Sequence, residues 1–208
     1  MPEVKICGNR RMEDIDYASG ADYLGFVIGI EDSFRSLTPQ EAAPLFRKAA
    51  RTARTVAVVK STDMDFLAGV CSILRPDYVQ LQLEADPLLI KNLGDSLGAG
   101  IIALVDPSEG AAERAKALSG AADMVHTDTV VGGRTGGTGR THNWAISRSV
   151  RDAVYPSAMM LSGGLNRLNL REAVRAVDPA VVDVSSGVER EGWKSRELVS
   201  EFIGIAGE

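Results

Sequence analysis

The first apolar run of the chain closes with Lys5-Ile6-Cys7-Gly8, and a cysteine at a strand end can point into an active-site mouth, where its thiolate is a reactive group. Lys5, two positions earlier, shares that face of an extended segment and favours the thiolate if its ammonium reaches the sulfur. The alternative is a small core cysteine, the reading that suits Cys71 inside an apolar helix-like stretch. A second group, His126-Thr127-Asp128-Thr129, offers a carboxyl that can donate or accept a proton, although Asp is also a frequent turn former. His126 reads as a structural histidine in or near its strand. Three further segments suit an anion: Gly132-Gly133-Arg134-Thr135-Gly136-Gly137-Thr138-Gly139-Arg140-Thr141, Ser162-Gly163-Gly164 and Ser185-Ser186-Gly187. Glycines let backbone N–H groups approach closely, and hydroxyls and a helix N-terminus add donors. For the long glycine loop, mere flexibility is the alternative. Arg35, in Ser33-Phe34-Arg35-Ser36, can grip a carboxylate with its guanidinium fork or stay solvated.

Each of these groups follows a short apolar, β-branched run, and such runs alternate with longer amphipathic segments along the whole chain. Strands are expected at Val4–Cys7, Tyr23–Ile28, Thr55–Val59, Tyr78–Leu81, Ile101–Val105, Met124–His126, Ala158–Leu161 and Val181–Val184. Helices are expected between them, from Met12–Ser19 through Thr38–Ala50, Met64–Leu74, Pro87–Leu97, Glu109–Leu118, Ala145–Val154 and Leu168–Ala176 to Ser195–Ile203. Thr38 before Pro39 with Glu41 three positions on, Asp63 before Met64 and Asn143 before Trp144 are capping signals. Strands separated by single helices pair in parallel, and eight in strict alternation predict a single-domain (β/α)8 TIM barrel over residues 1–208, with an open doubly wound sheet as the alternative. In such a barrel the site forms at the carboxyl ends of the strands, and phosphate sites are commonly built from the loops after strands 7 and 8. The three donor-rich loops then converge on one phosphate group, and the ligand is a small phosphorylated molecule.

The composition excludes other classes. A chain of 208 residues with 45% hydrophobic and 25% charged residues is an ordinary globular protein. A net charge of −5 with scattered basic residues argues against a nucleic-acid partner, since phosphate neutralisation needs clustered Lys and Arg. No apolar run reaches the ~18 residues of a membrane span, and no apolar signal region opens the chain. Two distant cysteines, read as free thiols, then point to the reducing cytoplasm. Monomer and homodimer are both open.

In this order and spacing, the segments resemble the phosphoribosylanthranilate isomerases. The matching stretches are Lys5-Ile6-Cys7-Gly8, Ala21-Asp22-Tyr23-Leu24-Gly25-Phe26-Val27, Val79-Gln80-Leu81, Gly136-Gly137-Thr138-Gly139-Arg140-Thr141 with Trp144, Ser162-Gly163-Gly164-Leu165-Asn166, and Val182-Asp183-Val184-Ser185-Ser186-Gly187-Val188-Glu189. The resemblance implies an Amadori rearrangement in tryptophan biosynthesis without cofactor or metal. By the same resemblance Asp128 is the general acid that opens the furanose ring, Cys7 is the general base at C2, and Arg35 meets the anthranilate carboxylate. It likewise implies substrate binding by Gly137, Thr138, Gly139, Ser162, Gly163, Gly164, Asp183, Ser185, Ser186 and Gly187. The acid must keep its proton, so the pKa of Asp128 is expected to be raised by burial or by nearby charge, whereas the thiol needs a modest downward shift.

The sequence departs from the family pattern at several points. Gln82-Leu83 stands where His-Gly is usual, Arg140 replaces a Lys, and His142-Asn143 replaces Phe-Asp. Ser33-Phe34-Arg35 replaces Ser-Pro-Arg, and Lys194-Ser195 follows Gly192-Trp193 where Lys-Asp is commoner. Two other readings remain: a barrel isomerase or epimerase of another sugar phosphate, such as those of histidine synthesis with aspartates at the ends of strands 1 and 5 (here Cys7 and Asp106), and a binding protein that lost the chemistry.

Overall fold

The computed structural model describes residues 1–131, 134–135 and 142–208, the side chains of 130, 131, 134 and 135 excepted. Eight strands, β1 (Glu3–Ile6), β2 (Tyr23–Ile28), β3 (Arg54–Val59), β4 (Tyr78–Leu81), β5 (Gly100–Val105), β6 (Met124–Thr127), β7 (Ala158–Leu161) and β8 (Val181–Val184), form a parallel sheet in sequential order. Pairing of β1 with both β2 and β8 closes it into a barrel. Around it run α1 (Met12–Tyr17), α2 (Pro39–Ala49), α3 (Met64–Leu74), α4 (Pro87–Leu97), α5 (Ala111–Leu118), α6 (Trp144–Val154), α7 (Leu170–Val177) and α8 (Arg196–Ala206). This is the expected (β/α)8 barrel, and the open sheet is excluded by the β1–β8 ladder, which sets Lys5 beside Asp183.

Local chemistry starts the helices where the sequence signals stand. Thr38 and Glu41 form a reciprocal capping box at α2, Asp63 accepts the Phe66 N–H at 2.7 Å, and Asn143 accepts from Ala145. Several ends shift by one to three residues: α1 stops at Tyr17, α7 runs from Leu170 to Val177, α8 continues to Ala206, and α5 starts at Ala111 because Gly110 precedes it in the left-handed region (φ 75°). At the opposite mouth a device recurs in every second βα unit. Asp22, Asp77 and Asp123, each just before a strand, accept the N–H groups of Val4, Thr55 and Ile101 at 2.7–2.8 Å, tying each strand's start to its neighbour.

The barrel separates two apolar regions. Outward-facing Ile6, Leu24, Phe26 and Ile28 pack against helix residues such as Phe46 and Phe202, while Tyr23, Val27, Val56, Val58, Ile102, Met124, Met160 and Val181 fill the interior. The interior also holds polar groups: Lys5, Gln80 and His126 are fully buried. Burying a charge is costly unless it is paired, and Lys5 is paired: its Nζ lies 2.9 Å from Asp183 Oδ1. Three short strand pairings lie outside the barrel ring, and sequence periodicity cannot reveal two-residue strands. Ser36–Leu37 joins β2, Val130–Val131 pairs with Arg134–Thr135, and Glu189–Arg190 pairs with Trp193–Lys194.

Candidate active site

Strand β1 ends one residue before Cys7, whose N–H still bonds Val184 O at 2.8 Å, so the thiol sits at the carboxyl mouth. There a cavity of about 370 Å³ is lined by Cys7, Arg35, Asp128, Ser162, Gly163, Gly164, Asp183, Ser185 and Ser186. That volume falls within the range of small-molecule sites. Nine of the residues singled out from the sequence therefore share one cavity. Gly187 does not line it: a Cβ there would lie 1.9 Å from Leu165 O, so this glycine lets the loops after β7 and β8 touch. Gly137, Thr138 and Gly139 lie outside the described residues.

Asp128 is almost wholly buried, and its Oδ1 accepts the Thr129 N–H at 2.7 Å. Burial, with the Asp183 charge adding to it, raises its pKa to about 7, against the opposing hydrogen bonds from Thr129 and Gln82 and the charge of Lys5. A carboxyl group poised there keeps its proton near neutrality, as an acid must. Cys7 differs from expectation. Burial pushes its thiol above the ordinary value, and the nearby Lys5 and Lys194 ammonium groups reduce that rise without reversing it. The modest downward shift is thus absent in the free protein, because desolvating a thiolate at this depth outweighs the two cations. Lys5 itself is raised: burial disfavours its charge, but Asp183 and Cys7 more than compensate.

Asp183 holds both neighbours, accepting from Lys5 and, at 3.1 Å, from Ser162 Oγ. Gly163 and Gly164 adopt positive φ (91° and 67°), and a Cβ on Gly163 would lie 2.4 Å from Thr129 Oγ1, so the β7 loop lies directly against the Asp128 loop. After β8, Ser186–Val188 forms a single 3-10 turn. On the other side Arg35 is gripped by Glu189, Nε to Oε1 at 2.9 Å and Nη2 to Oε2 at 2.6 Å.

His126 is structural, as expected. Its Nε2 donates to Leu81 O at 3.1 Å, and burial lowers its pKa to about 4, so it is neutral. Cys71 packs half-buried against the outer core. Asp106 is absent from the cavity lining, its N–H held by Glu84 at 3.0 Å, which removes the second aspartate that the histidine-type alternative needs. Among the described residues, no three or more His, Cys, Asp or Glu are grouped to hold a metal ion, and no helix is long and apolar enough to cross a membrane.

Residues 4–204 match the family model of N-(5'phosphoribosyl)anthranilate (PRA) isomerase. The chain belongs to that family. The N-(5'-phosphoribosyl)anthranilate isomerase of Methanothrix thermoacetophila is 36% identical, with 98% of this chain and 97% of the relative covered. The crystal structure of the phosphoribosylanthranilate isomerase of Thermotoga maritima superposes with a TM-score of 0.86 at 32% identity, covering 100% of this chain and 99% of that one. A family structure in complex with reduced 1-(o-carboxyphenylamino)-1-deoxyribulose 5-phosphate has a TM-score of 0.83 at 30% identity, with the same coverage.

Against that family background the departures acquire places. Gln82 lines the cavity and hydrogen-bonds Asp128, so the usual imidazole position is filled by a group that does not titrate. His142 bridges Thr129 Oγ1, at 3.1 Å, and Ser147, tying the Asp128 loop to α6, while Asn143 caps that helix. Lys60 and Asp32 also line the cavity and were not singled out from the sequence. Lys60 directly follows β3, and a charge at a strand's carboxyl end is the signal that could have found it. Glu189 and Lys194, 2.8 Å apart, carry no such signal, because they lie beyond the last barrel strand.

Proposed function

We propose that the protein converts N-(5-phosphoribosyl)anthranilate to 1-(2-carboxyphenylamino)-1-deoxyribulose 5-phosphate in tryptophan biosynthesis, with the whole chain acting as one catalytic domain. The observation that carries this is the shared cavity in which a buried Asp128 of pKa about 7, Cys7 and the serine and glycine loops meet. Asp128 donates its proton to the furanose ring oxygen; the C1–O bond breaks and the nitrogen lone pair forms the Schiff base. Cys7, as thiolate, removes the C2 proton, and the C–H electron pair becomes the double bond of the enolamine, which tautomerises to the ketone. Lys5 and Lys194 are the charges that favour the thiolate at that step. Arg35 meets the anthranilate carboxylate, and the loops after β7 and β8 hold the phosphate together with Gly137, Thr138 and Gly139. Asp183 contributes by fixing Lys5 and Ser162. The free thiols Cys7 and Cys71 support a reducing compartment, and we place the reaction in the cytoplasm.

The test is the loss of anthranilate-type fluorescence when purified protein meets freshly generated phosphoribosylanthranilate. Turnover that disappears in Cys7→Ser is expected. Wild-type protein without turnover, still binding phosphate ligands, would overturn the assignment.

A further inference from the structure

Arg35 is held from two sides by the hairpin of Glu189–Arg190 and Trp193–Lys194, and both segments involved, 33–35 and 192–195, are places where the sequence departs from the family pattern. On one side Glu189 takes the Nε/Nη2 edge of the guanidinium in a bidentate pair and is itself anchored by Lys194, 2.8 Å from Oε1, whose Nζ also reaches Ser185 O at 3.0 Å. A guanidinium carries five N–H donors in a planar fork. With the Nε/Nη2 edge occupied, the end-on Nη1/Nη2 edge remains to grip a second carboxylate.

On the other side lies an alternating stack. The Arg10 guanidinium sits 4.0 Å from the Trp193 ring centre and 5.2 Å from that of Phe34, and the Arg35 guanidinium lies 4.2 Å from the centre of the same Phe34 ring. Arg10 also ties the two backbones, donating to Phe34 O at 3.1 Å and Gly192 O at 2.6 Å. Phe34 and Trp193 are 61% and 42% exposed, so neither fills the core. Exposed aromatic rings laid on arginines hold those arginines by cation–π contact. Gly8, at φ 75°, completes the arrangement: a Cβ there would lie 2.6 Å from Arg35 Cδ.

We propose that this hairpin is a positioning element that sets Arg35 for the substrate carboxylate, Glu189 fixing the guanidinium's orientation and the Trp193–Arg10–Phe34 stack fixing the loop that carries it. The inference rests on the reading that Arg35 meets the anthranilate carboxylate. Freezing an arginine's rotamers in advance is worth roughly tenfold in affinity.

The experiment measures kcat and KM, binding of anthranilate alone, binding of inorganic phosphate, and the melting temperature for Trp193→Ala, Trp193→Phe and Glu189→Gln, each with and without Arg35→Ala. For Trp193→Ala, KM rises about tenfold and anthranilate binding weakens equally, while kcat, phosphate binding and melting temperature hold; Trp193→Phe restores the wild-type values. Glu189→Gln raises KM and weakens anthranilate binding in the same way, with a lower melting temperature and kcat besides because buried Lys194 loses its partner, and the KM and anthranilate effects of both variants vanish once Arg35 is Ala. An unchanged KM in Trp193→Ala, or an effect that persists undiminished in the Arg35→Ala background, overturns the proposal. Should Glu189→Gln fail to fold, Trp193→Ala still decides. Wild-type protein that binds anthranilate without turnover counts against the isomerase reading alone, and the cycle is then read in anthranilate binding; wild-type protein that does not bind anthranilate overturns both.

Discussion

Replacing Asp128 by Asn should make the protein more stable in alkaline solution and nearly inactive, and the size of the gain follows from the burial of this carboxyl. Its pKa rises from an ordinary 3.8 in the unfolded chain to about 7 in the folded one, chiefly through desolvation and secondly through Asp183. A raised carboxyl pKa means that the folded state binds the proton more tightly. The folded state therefore carries no penalty below pH ~4, an increasing one as the pH rises towards 7, and the full penalty above it. A shift of about 3 units at ~1.4 kcal/mol each corresponds to about 4 kcal/mol as an upper bound. Asn cannot ionise, yet its Oδ1 can still accept the Thr129 N–H. The titrations of His126 and His142 are common to both proteins and cancel in the comparison. Denaturant titrations of wild type and Asp128→Asn at pH 4.5, 6, 7 and 8.5 should show a stability gap that opens between pH 4.5 and 7 and is level beyond, equivalent to a melting difference of up to ~10 °C for a chain of this size. A gap independent of pH, or a variant less stable than wild type at pH 8.5, would refute the argument that desolvation sets this pKa.

Other measurements test the remaining parts of the site. With the proposed roles the reactive form has Asp128 protonated and Cys7 ionised, so kcat/KM should rise with pH to about 7 and then run level, falling only on the alkaline side of the ordinary thiol range because burial raises Cys7; a profile peaking below pH 6 contradicts this pairing. In a Cys71→Ser background, alkylation of Cys7 by iodoacetamide should still be accelerating at pH 9, since burial raises the thiol; saturation by pH 8 would show that Lys5 wins after all. Arg35→Ala removes a bidentate charged donor and should raise KM by roughly 10- to 100-fold with kcat changed far less, so a wild-type KM would exclude the carboxylate contact. Gly187→Ala forces a Cβ to within 1.9 Å of Leu165 O and should cost about 3 kcal/mol or more, visible as a fall in melting temperature; an unshifted transition would mean that the two loops separate freely.

The strands were legible because each barrel strand is a short run of β-branched and apolar residues bounded by turn formers, and the helices because their caps are local: Thr38, Asp63 and Asn143 act on N–H groups two or three residues away. That Cys7 and Asp128 share one cavity was legible because the ends of parallel barrel strands open on a common mouth. The hairpin at 189–194 was not, since a two-residue strand leaves no periodicity to read. Nor was the role of Gln82: the sequence shows the loss of an imidazole, but only the folded chain brings that amide to Asp128.

The sequence by itself determined the number and order of the βα units and the residues that stand at their ends, because hydrophobic period, capping and turn chemistry act over a few residues. Only the tertiary structure decided the electrostatics. Lys5 meets Asp183 across 178 positions, and Arg35 meets Glu189 across 154, once β1 closes on β8 and the hairpin at 189–194 packs against the loop that carries Arg35. Charge interactions depend on distance and on the water excluded between groups, neither of which is encoded locally. That is why burial raises Asp128 to about 7 and also raises Cys7, against the expectation drawn from Lys5 as its neighbour in the chain.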